Sequence, residues 1–148
     1  MDTCDREILS YIATTGGVTS EMVKDLIVSS VEYRFGKIDK LPDKIQWLSN
    51  NGPCYTLRET ILFARMIGFE VCTTPYYSPE SNGMAEAFIK TFKRDYVSLH
   101  DLSDANTVMG LLPLWFEDYN NHHLHKGLKM RSPRAFMMMQ NKLEGGLV

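Results

Sequence analysis

The 148-residue sequence has little cysteine and no long apolar run. Its three cysteines, Cys4, Cys54 and Cys72, are widely spaced and form no Cys-x-x-Cys pair, which argues against a disulfide framework or a cysteine zinc site. No apolar stretch approaches the roughly 18–20 residues that span a bilayer, and the first residues lack the charged and apolar regions of a signal peptide. These absences predict a cytoplasmic protein with reduced thiols and no membrane partner.

Charge is close to balanced over the whole chain, with a formal net charge of −2 and a pI of about 6.1. Whole-chain electrostatics therefore give no support to nucleic-acid binding, and any basic surface must be local. The densest basic stretch contains Lys126, Lys129, Arg131 and Arg134, and it fits either a solvated surface or contacts to a phosphate backbone. The length and the hydrophobic content of 44% are typical of one globular domain, which we expect to occupy residues 1–148.

Strand and helix patterns alternate along the first two thirds of the sequence. Runs rich in strand formers predict strands at residues 7–14, 45–49 and 69–74. Apolar spacing and capping residues predict helices at about 20–35, 56–67, 82–99, 105–121 and 133–143. This alternation predicts an α/β fold with a mostly parallel sheet, followed by C-terminal helices from about residue 101.

Capping residues and helix breakers predict where the helices begin and end. Thr19 or Ser20 is placed to cap the first helix, and Thr56-Leu57-Arg58-Glu59 fits a capping box at the start of the second. Pro113 is expected to kink its helix or to mark its real start. Ser132 is placed to cap the last helix, since proline follows it at the first helical position. The glycines placed to end the first two helices are Gly36 and Gly68.

Two polar residues stand out by position and spacing. Asn50 follows the predicted strand 45–49 in the sequence Trp-Leu-Ser-Asn-Asn-Gly, and open α/β sheets usually bind their ligands at the carboxyl ends of strands. Glu86 begins a long predicted helix after Ser-Asn-Gly-Met-Ala, a position where acids also occur simply because they complement the helix dipole. Between Asn50 and Glu86 lie 35 residues.

Four stretches carry motifs of one known family. Residues 2–8, Asp-Thr-Cys-Asp-Arg-Glu-Ile, are similar to the hairpin between its second and third strands. Residues 47–55 resemble its second-acid motif, usually written Ser/Thr-Asp-Asn-Gly, and residues 78–93 resemble its third-acid helix. The family's C-terminal signature is matched in order by Tyr119-Asn120, His123, His125, Leu128 and Ser132-Pro133. Together these motifs resemble the integrase core of insertion-sequence transposases of the retroviral-integrase type, encoded by the second reading frame.

The resemblance implies an RNase H-like fold over about residues 1–100, lacking the first strand and most of the second strand of the family. The first catalytic Asp of the family lies on that first strand, so we expect it to be missing here. Asp2 has a plausible spacing to Asn50 for that role, but the residues from Arg6 onward fit the later hairpin better. Leu124 and Lys129 stand where the family commonly has Pro and Gly.

The resemblance places Asn50 at the second catalytic Asp, and Glu86 at the third acid and metal ligand. The family's chemistry uses two Mg²⁺ (or Mn²⁺) ions that clamp the attacking and leaving oxygens. Asn50 offers one carbonyl oxygen without charge, whereas Mg²⁺ in proteins is held by carboxylates and phosphate. The resemblance therefore implies a core domain for DNA integration and transposition that is catalytically defective and binds its metal weakly or not at all.

The resemblance also implies residues that contact DNA. Lys90 and Lys93 lie four and seven residues after Glu86 on one helical face, where they are either phosphate contacts or part of a solvated Glu–Lys surface. Asn51 belongs to the turn that positions the second acid. The residues assigned to DNA contact are Asn51, Lys90, Lys93, Lys126 and Arg131.

The expected partners are transposon-end and target DNA, together with a second copy of the chain or an intact transposase. Loss of the first strand would leave unpaired backbone groups beside the strand 45–49, which predicts oligomerisation, strand exchange or poor solubility of the isolated chain. The alternative function is a non-catalytic remnant that binds DNA or pairs with an intact transposase. Both alternatives place the protein in the bacterial cytoplasm, in association with the nucleoid.

Overall fold

The computed structural model describes residues 1–74, 83–100, 102 and 104–145, with the side chains of 144 and 145 excepted. The chain divides into two compact units. We call Leu9–Lys93 the central unit, and Met1–Ile8 together with Arg94–Val148 the terminal unit. The two ends of the sequence therefore belong to the same unit.

Six helices and two strands are present in the described residues. The strands are β1 (Ile45–Ser49) and β2 (Phe69–Thr73). The helices are α1 (Ser20–Phe35), α2 (Pro53–Thr56), α3 (Arg58–Ile67), α4 (Gly83–Asp95), α5 (Ala105–His122) and α6 (Pro133–Gly145), with 3₁₀ turns at Val97–Leu99 and Lys126–Leu128. None of these helices combines the length and the apolar character needed to cross a bilayer.

Helix α1 begins and ends where the capping residues predict. The Thr19 side chain accepts a hydrogen bond from Met22 N at 3.3 Å, which satisfies one of the unpaired amides of the first turn. Gly36 ends the helix with φ of 75°, a conformation that glycine adopts without steric cost. The buried side chains of α1, spaced at intervals of four, are Val23, Ile27 and Val31.

The two strands of the central unit are parallel, as predicted. Their register runs from Ile45 opposite Phe69 to Ser49 opposite Thr73, and Thr74 N extends the ladder by donating to Ser49 O at 3.0 Å. Helices α2 and α3 form the crossover that a parallel pair requires. The core beneath the sheet consists of Val23, Ile27 and Ala64, with partly buried side chains that include Trp47, Phe63, Phe69 and Val71.

The strand predicted at residues 7–14 is wrong, because this segment has no strand partner among the described residues. A strand is stable only when its peptide groups are paired with a neighbour. Here the peptide groups of Ile8 bond instead to the side chain of Asn120. Glu7 O accepts from Asp2 N at 2.9 Å, so the segment 1–8 forms a local loop.

The predicted capping box at Thr56 is also wrong. Pro53 starts an earlier short helix, α2, and Thr56 is its last residue. The Thr56 hydroxyl bonds back to Gly52 O at 3.3 Å and is therefore not placed to cap the next helix. Helix α3 begins after Leu57 without a side-chain cap, but it ends as predicted at Gly68, which has φ of 116°.

In the terminal unit, α5 continues through Pro113, so this proline does not mark the start of the helix. The start lies at Asp104, whose carboxylate accepts from Thr107 N at 2.8 Å. Helix α6 begins as predicted, since Ala135 N donates to the Ser132 hydroxyl at 3.4 Å. The buried apolar side chains of this unit include Ile8, Tyr96, Trp115, Tyr119 and Leu128.

Candidate functional site

Asn50 lies immediately after the carboxyl end of β1 and is exposed. Its Oδ1 accepts a hydrogen bond from Gly52 N at 2.9 Å, which forms a local side-chain turn. The turn is tight, because a Cβ added at Gly52 would lie 3.0 Å from Asn50 Oδ1 and 3.2 Å from the Tyr55 ring. One lone pair of the Asn50 oxygen is thus used by the turn, and the group carries no charge.

Asn51 ties the end of β1 to the end of β2. Its Nδ2 donates to Thr74 O at 2.7 Å, and both residues are at least partly buried. This bond positions the turn that carries Asn50 against the adjacent strand. The DNA contact assigned to Asn51 stays a prediction, and its amide nitrogen already has a structural partner.

Glu86 lies in the first turn of α4 and is exposed. Lys90 and Lys93 follow on the same helix and are exposed as well. The buried side of α4 carries Phe92, whose ring lies 5.6 Å from that of Phe88. Residues 75–82, which carry much of the third-acid motif, lie outside the described residues. The catalytic and DNA-contacting roles of Glu86, Lys90 and Lys93 therefore stay predictions.

The donor atoms around Asn50 and Glu86 do not fit a two-metal clamp. Asn50 supplies a neutral amide oxygen that already accepts from Gly52 N, and Glu86 supplies one carboxylate. In the part of the chain that the structure describes, no three His, Cys, Asp or Glu residues come together to hold a metal ion. Two divalent cations need several anionic oxygens to offset their charge.

The second group of predicted DNA-contacting residues lies in a compact loop of the terminal unit, which we call the basic loop (residues 125–131). The loop is closed by His125 N, which donates to Arg131 O at 3.0 Å, and by Met130 N, which donates to His125 O at 3.0 Å. Lys126 is exposed and Arg131 is half-buried. Leu128, only 2% exposed, anchors the loop in the core.

Arg134 belongs to the same basic stretch of sequence but has a structural role. Its Nε lies 3.1 Å from Glu7 Oε1, and its two terminal nitrogens bond to both carboxylate oxygens of Glu117. Glu7 is 1% exposed, so the guanidinium neutralises a buried carboxylate. Sequence patterns cannot find this pair, because 127 positions separate its members.

Two histidines pack against Tyr119 beside the basic loop. The His123 ring stacks on Tyr119 with centroids 4.7 Å apart, and the His125 ring lies 4.9 Å from that of His123. Burial, together with smaller effects of the neighbouring His123 and Arg6, lowers the pKa of His125 to about 4. Burial also lowers the pKa of His123. Both rings are therefore neutral near pH 7 and act as packing groups in this unit.

Comparison with known sequences identifies relatives over most of the chain. The sequence model of the integrase core domain family matches residues 68–133. A putative transposase InsD of insertion element IS2E from Escherichia coli K12 is 47% identical over 137 residues, which are 93% of this chain and 62% of that protein. Transposase InsD of IS2A/D/F/H/I/K from Escherichia coli is equally similar, but only 45% of its length is covered. The chain thus spans less than two thirds of these relatives.

Solved structures share the fold. The catalytic core domain of BIV integrase superposes with a TM-score of 0.59 at 19% identity, covering 85% of this chain and 75% of that domain. A chain of the simian T-cell lymphotropic virus intasome superposes with a TM-score of 0.54 at 19% identity, covering 74% of this chain and 37% of that chain. The predicted RNase H-like integrase fold is thereby confirmed. By its sequence motifs, its relatives and its fold, the chain belongs to the integrase-core family of insertion-element transposases.

Proposed function

We propose that this chain is a transposase integrase core that binds transposon-end and target DNA but cannot by itself cleave or join DNA strands. The observation that carries the proposal is Asn50, a neutral amide directly after β1 whose oxygen is engaged by Gly52 N. Its site of action is bacterial DNA, which places it in the cytoplasm at the nucleoid.

The chemistry explains why the amide matters. Cleavage and strand transfer require water, and then a 3′-hydroxyl, to attack in line at phosphorus, and the transition state is stabilised by metal ions held on carboxylates. Asn50 cannot offset the charge of a divalent cation, and Glu86 alone supplies one carboxylate. We therefore propose that Mg²⁺ or Mn²⁺ binds this chain only weakly.

We propose that the chain binds DNA even though it lacks catalytic activity. Lys90 and Lys93 are exposed on α4, and Lys126 and Arg131 belong to the basic loop. Contacts of such side chains with the DNA phosphates do not depend on an intact catalytic site, because they are electrostatic and independent of the DNA sequence. The chain can thus compete for DNA without cutting it.

The first test is a nicking and strand-transfer assay on DNA carrying the ends of the element, with Mg²⁺ and then Mn²⁺. We expect no product from the wild-type chain, while gel-shift measurements show bound DNA. Glu86→Gln serves as the control that separates this chain's activity from a contaminating nuclease. Product that disappears in Glu86→Gln would overturn the proposed defect.

A metal-binding measurement tests the cause of the defect without relying on activity. Isothermal titration with Mn²⁺ compares the wild-type chain with Asn50→Asp and with Asn50→Asp combined with Glu86→Gln. A new carboxylate at position 50 is expected to tighten Mn²⁺ binding about tenfold or more, and the double variant is expected to lose that gain. Equal affinities for all three proteins would contradict the proposed role of these positions.

A protein partner is proposed to pair with the outer edge of β1. Within the described residues β1 pairs with β2 alone. Ser49 O accepts from Thr74 N, so by alternation the peptide groups of Gln46 and Leu48 face away from β2. Leu48 is also 53% exposed, and open strand edges of this kind recruit another strand. We propose a second copy of the chain or an intact transposase as the source of that strand.

Sedimentation velocity tests this association, with the chain measured alone and in a mixture with an intact transposase. We expect the wild-type chain to associate, and Gln46→Pro to shift it toward monomer. Proline is tolerated on an open edge but removes the amide that a new strand would use. Lys44→Ala, on the exposed residue before the strand, is the control. A wild-type chain that stays monomeric and does not bind the intact transposase would contradict the proposal.

A further inference from the structure

The basic loop contains two consecutive side-chain-bearing residues in the left-handed region of backbone conformation. Lys129 has φ of 56° and ψ of 44°, and Met130 has φ of 57°. This region is sterically unfavourable for residues with a Cβ, and glycine would relieve the cost at either position. Strain of this kind persists where the surrounding structure enforces it, and it is enriched at functional sites.

The surrounding structure does enforce it. Lys129 N donates to Lys126 O at 3.2 Å, and Met130 N donates to His125 O at 3.0 Å. Leu128, the residue before the strained pair, is buried, and Ser132, which caps α6, is buried as well. The loop is therefore fixed at both ends, and its backbone holds the strained pair in one conformation.

The side chains presented by this loop are positively charged. Lys126 and Lys129 are exposed, and the turn that joins them brings their Cα atoms to within about 7 Å of each other. Residues 122–134 contain no acid, and within the described residues Lys126, Lys129 and Arg131 form no ion pair. Arg134 differs, because Glu7 and Glu117 neutralise it.

We propose that Lys129 contacts a DNA phosphate, and that its strained backbone holds its ammonium group beside that of Lys126 for this purpose. The inference rests on the proposed DNA-binding function and adds a residue to it. A rigid pair of exposed cations without neighbouring acids complements a polyanionic backbone. Because the contact is electrostatic, it is independent of DNA sequence and sensitive to salt.

The structure allows a test in which stability and binding move in opposite directions. The variants are Lys129→Gly, Met130→Gly and Lys129→Arg. Both glycine variants relieve the left-handed strain, so both are expected to raise Tm by about 2–5 °C. Only Lys129→Gly removes charge. It is expected to weaken binding to a duplex of roughly 30 base pairs at 0.1 M salt about threefold to tenfold, and to reduce the slope of log Kd against log salt by about 0.9.

Each outcome decides the matter. Lys129→Arg keeps the charge and is expected to bind as the wild type does, although its backbone strain remains. If Lys129→Gly binds DNA with the same affinity as the wild type, this inference is overturned and the proposed function remains intact. An equal loss of binding in Met130→Gly would also overturn it, since the backbone change and not the charge would then be responsible. No duplex binding by the wild-type chain, even at low salt, would overturn both.

Discussion

The Asn120 side chain makes the two hydrogen bonds to the Ile8 backbone that a neighbouring strand would otherwise make. Ile8 N donates to Asn120 Oδ1 at 2.8 Å, and Asn120 Nδ2 donates to Ile8 O at 3.0 Å. Both residues are buried, so one side chain satisfies both backbone groups of a residue 112 positions away. The pair attaches the first residues of the chain to helix α5.

Replacing Asn120 by alanine is expected to destabilise the terminal unit. Two buried backbone groups would lose their partners, which costs about 2–3 kcal/mol in the free energy of unfolding. Urea unfolding followed by circular dichroism measures this change. Asn106→Ala, at an exposed position of α5, is the matched control and should change the free energy by less than about 0.5 kcal/mol. Equal effects of the two variants would contradict the proposed role of Asn120.

Arg134→Met is expected to reduce stability and to leave DNA binding unchanged. Methionine retains much of the apolar stem but removes the charge opposite buried Glu7, at a cost of about 3 kcal/mol or more. Glu117→Gln removes the exposed partner of the same arginine and should cost about 1 kcal/mol or less. Chemical unfolding and salt-dependent DNA binding are measured on both variants. A lower salt slope in Arg134→Met would contradict the structural role.

The terminal unit is expected to lose stability below about pH 6.5. The pKa of His125 in the folded chain is about 4, below its ordinary value of 6.5. Between these values the unfolded chain binds a proton that the folded chain does not, so stability falls as the pH falls. The ring is only half-buried, and we expect about 1 kcal/mol between pH 7 and pH 5.

Unfolding at both pH values, for the wild type and for His125→Asn, isolates this effect from other titrating groups. The variant lacks the imidazole and should show a smaller loss between pH 7 and pH 5. His123 has a lowered pKa as well, so some pH dependence of the same sign is expected to remain. A wild type whose stability does not fall relative to the variant would contradict the assignment to His125.

Asn51→Asp is expected to destabilise the central unit, whereas Asn50→Asp is not. The Asn51 amide donates to the buried carbonyl of Thr74, and a carboxylate there would place two acceptors face to face, at about 2–3 kcal/mol. Asn50 is exposed, and its oxygen, which accepts from Gly52 N, is retained in aspartate. The same chemical change at adjacent residues thus gives a matched pair, measured by thermal unfolding. Similar losses in both variants would contradict this account.

Local signals predicted much of the fold. Thr19, Gly36 and Gly68 mark helix ends through their own side-chain or backbone chemistry, and the strand 45–49 was predicted with the bounds that the structure gives. The errors arose where a local signal competes with another. Pro53 started a helix earlier than the capping box at Thr56 suggested. Helix α5 begins at Ala105 as predicted, and only the alternative start at Pro113 is wrong.

Long-range contacts limited the rest. The segment 7–14 has strand-forming residues, but Glu7 and Ile8 bond to side chains of α6 and α5, and the Ser10 hydroxyl bonds to Leu26 O in α1. No local pattern indicates these partners. The same limit affected the candidate site, since Arg134 resembles its basic neighbours in sequence and is distinguished only by Glu7 and Glu117. The positions of Asn50 and Glu86 came from motif spacing, and their roles in chemistry stay predictions.

The division of the chain into its two units has a consequence for its synthesis. The central unit is continuous, Leu9–Lys93, so all of its residues are synthesised before α5 begins. The terminal unit joins the first eight residues to the last part of the chain, and it can close only after Arg134 has been translated. Until then Glu7 and Ile8 have emerged without the helices that hold them. A nascent chain stalled before Asn120 would therefore lack the side chain that holds Ile8 in the folded protein.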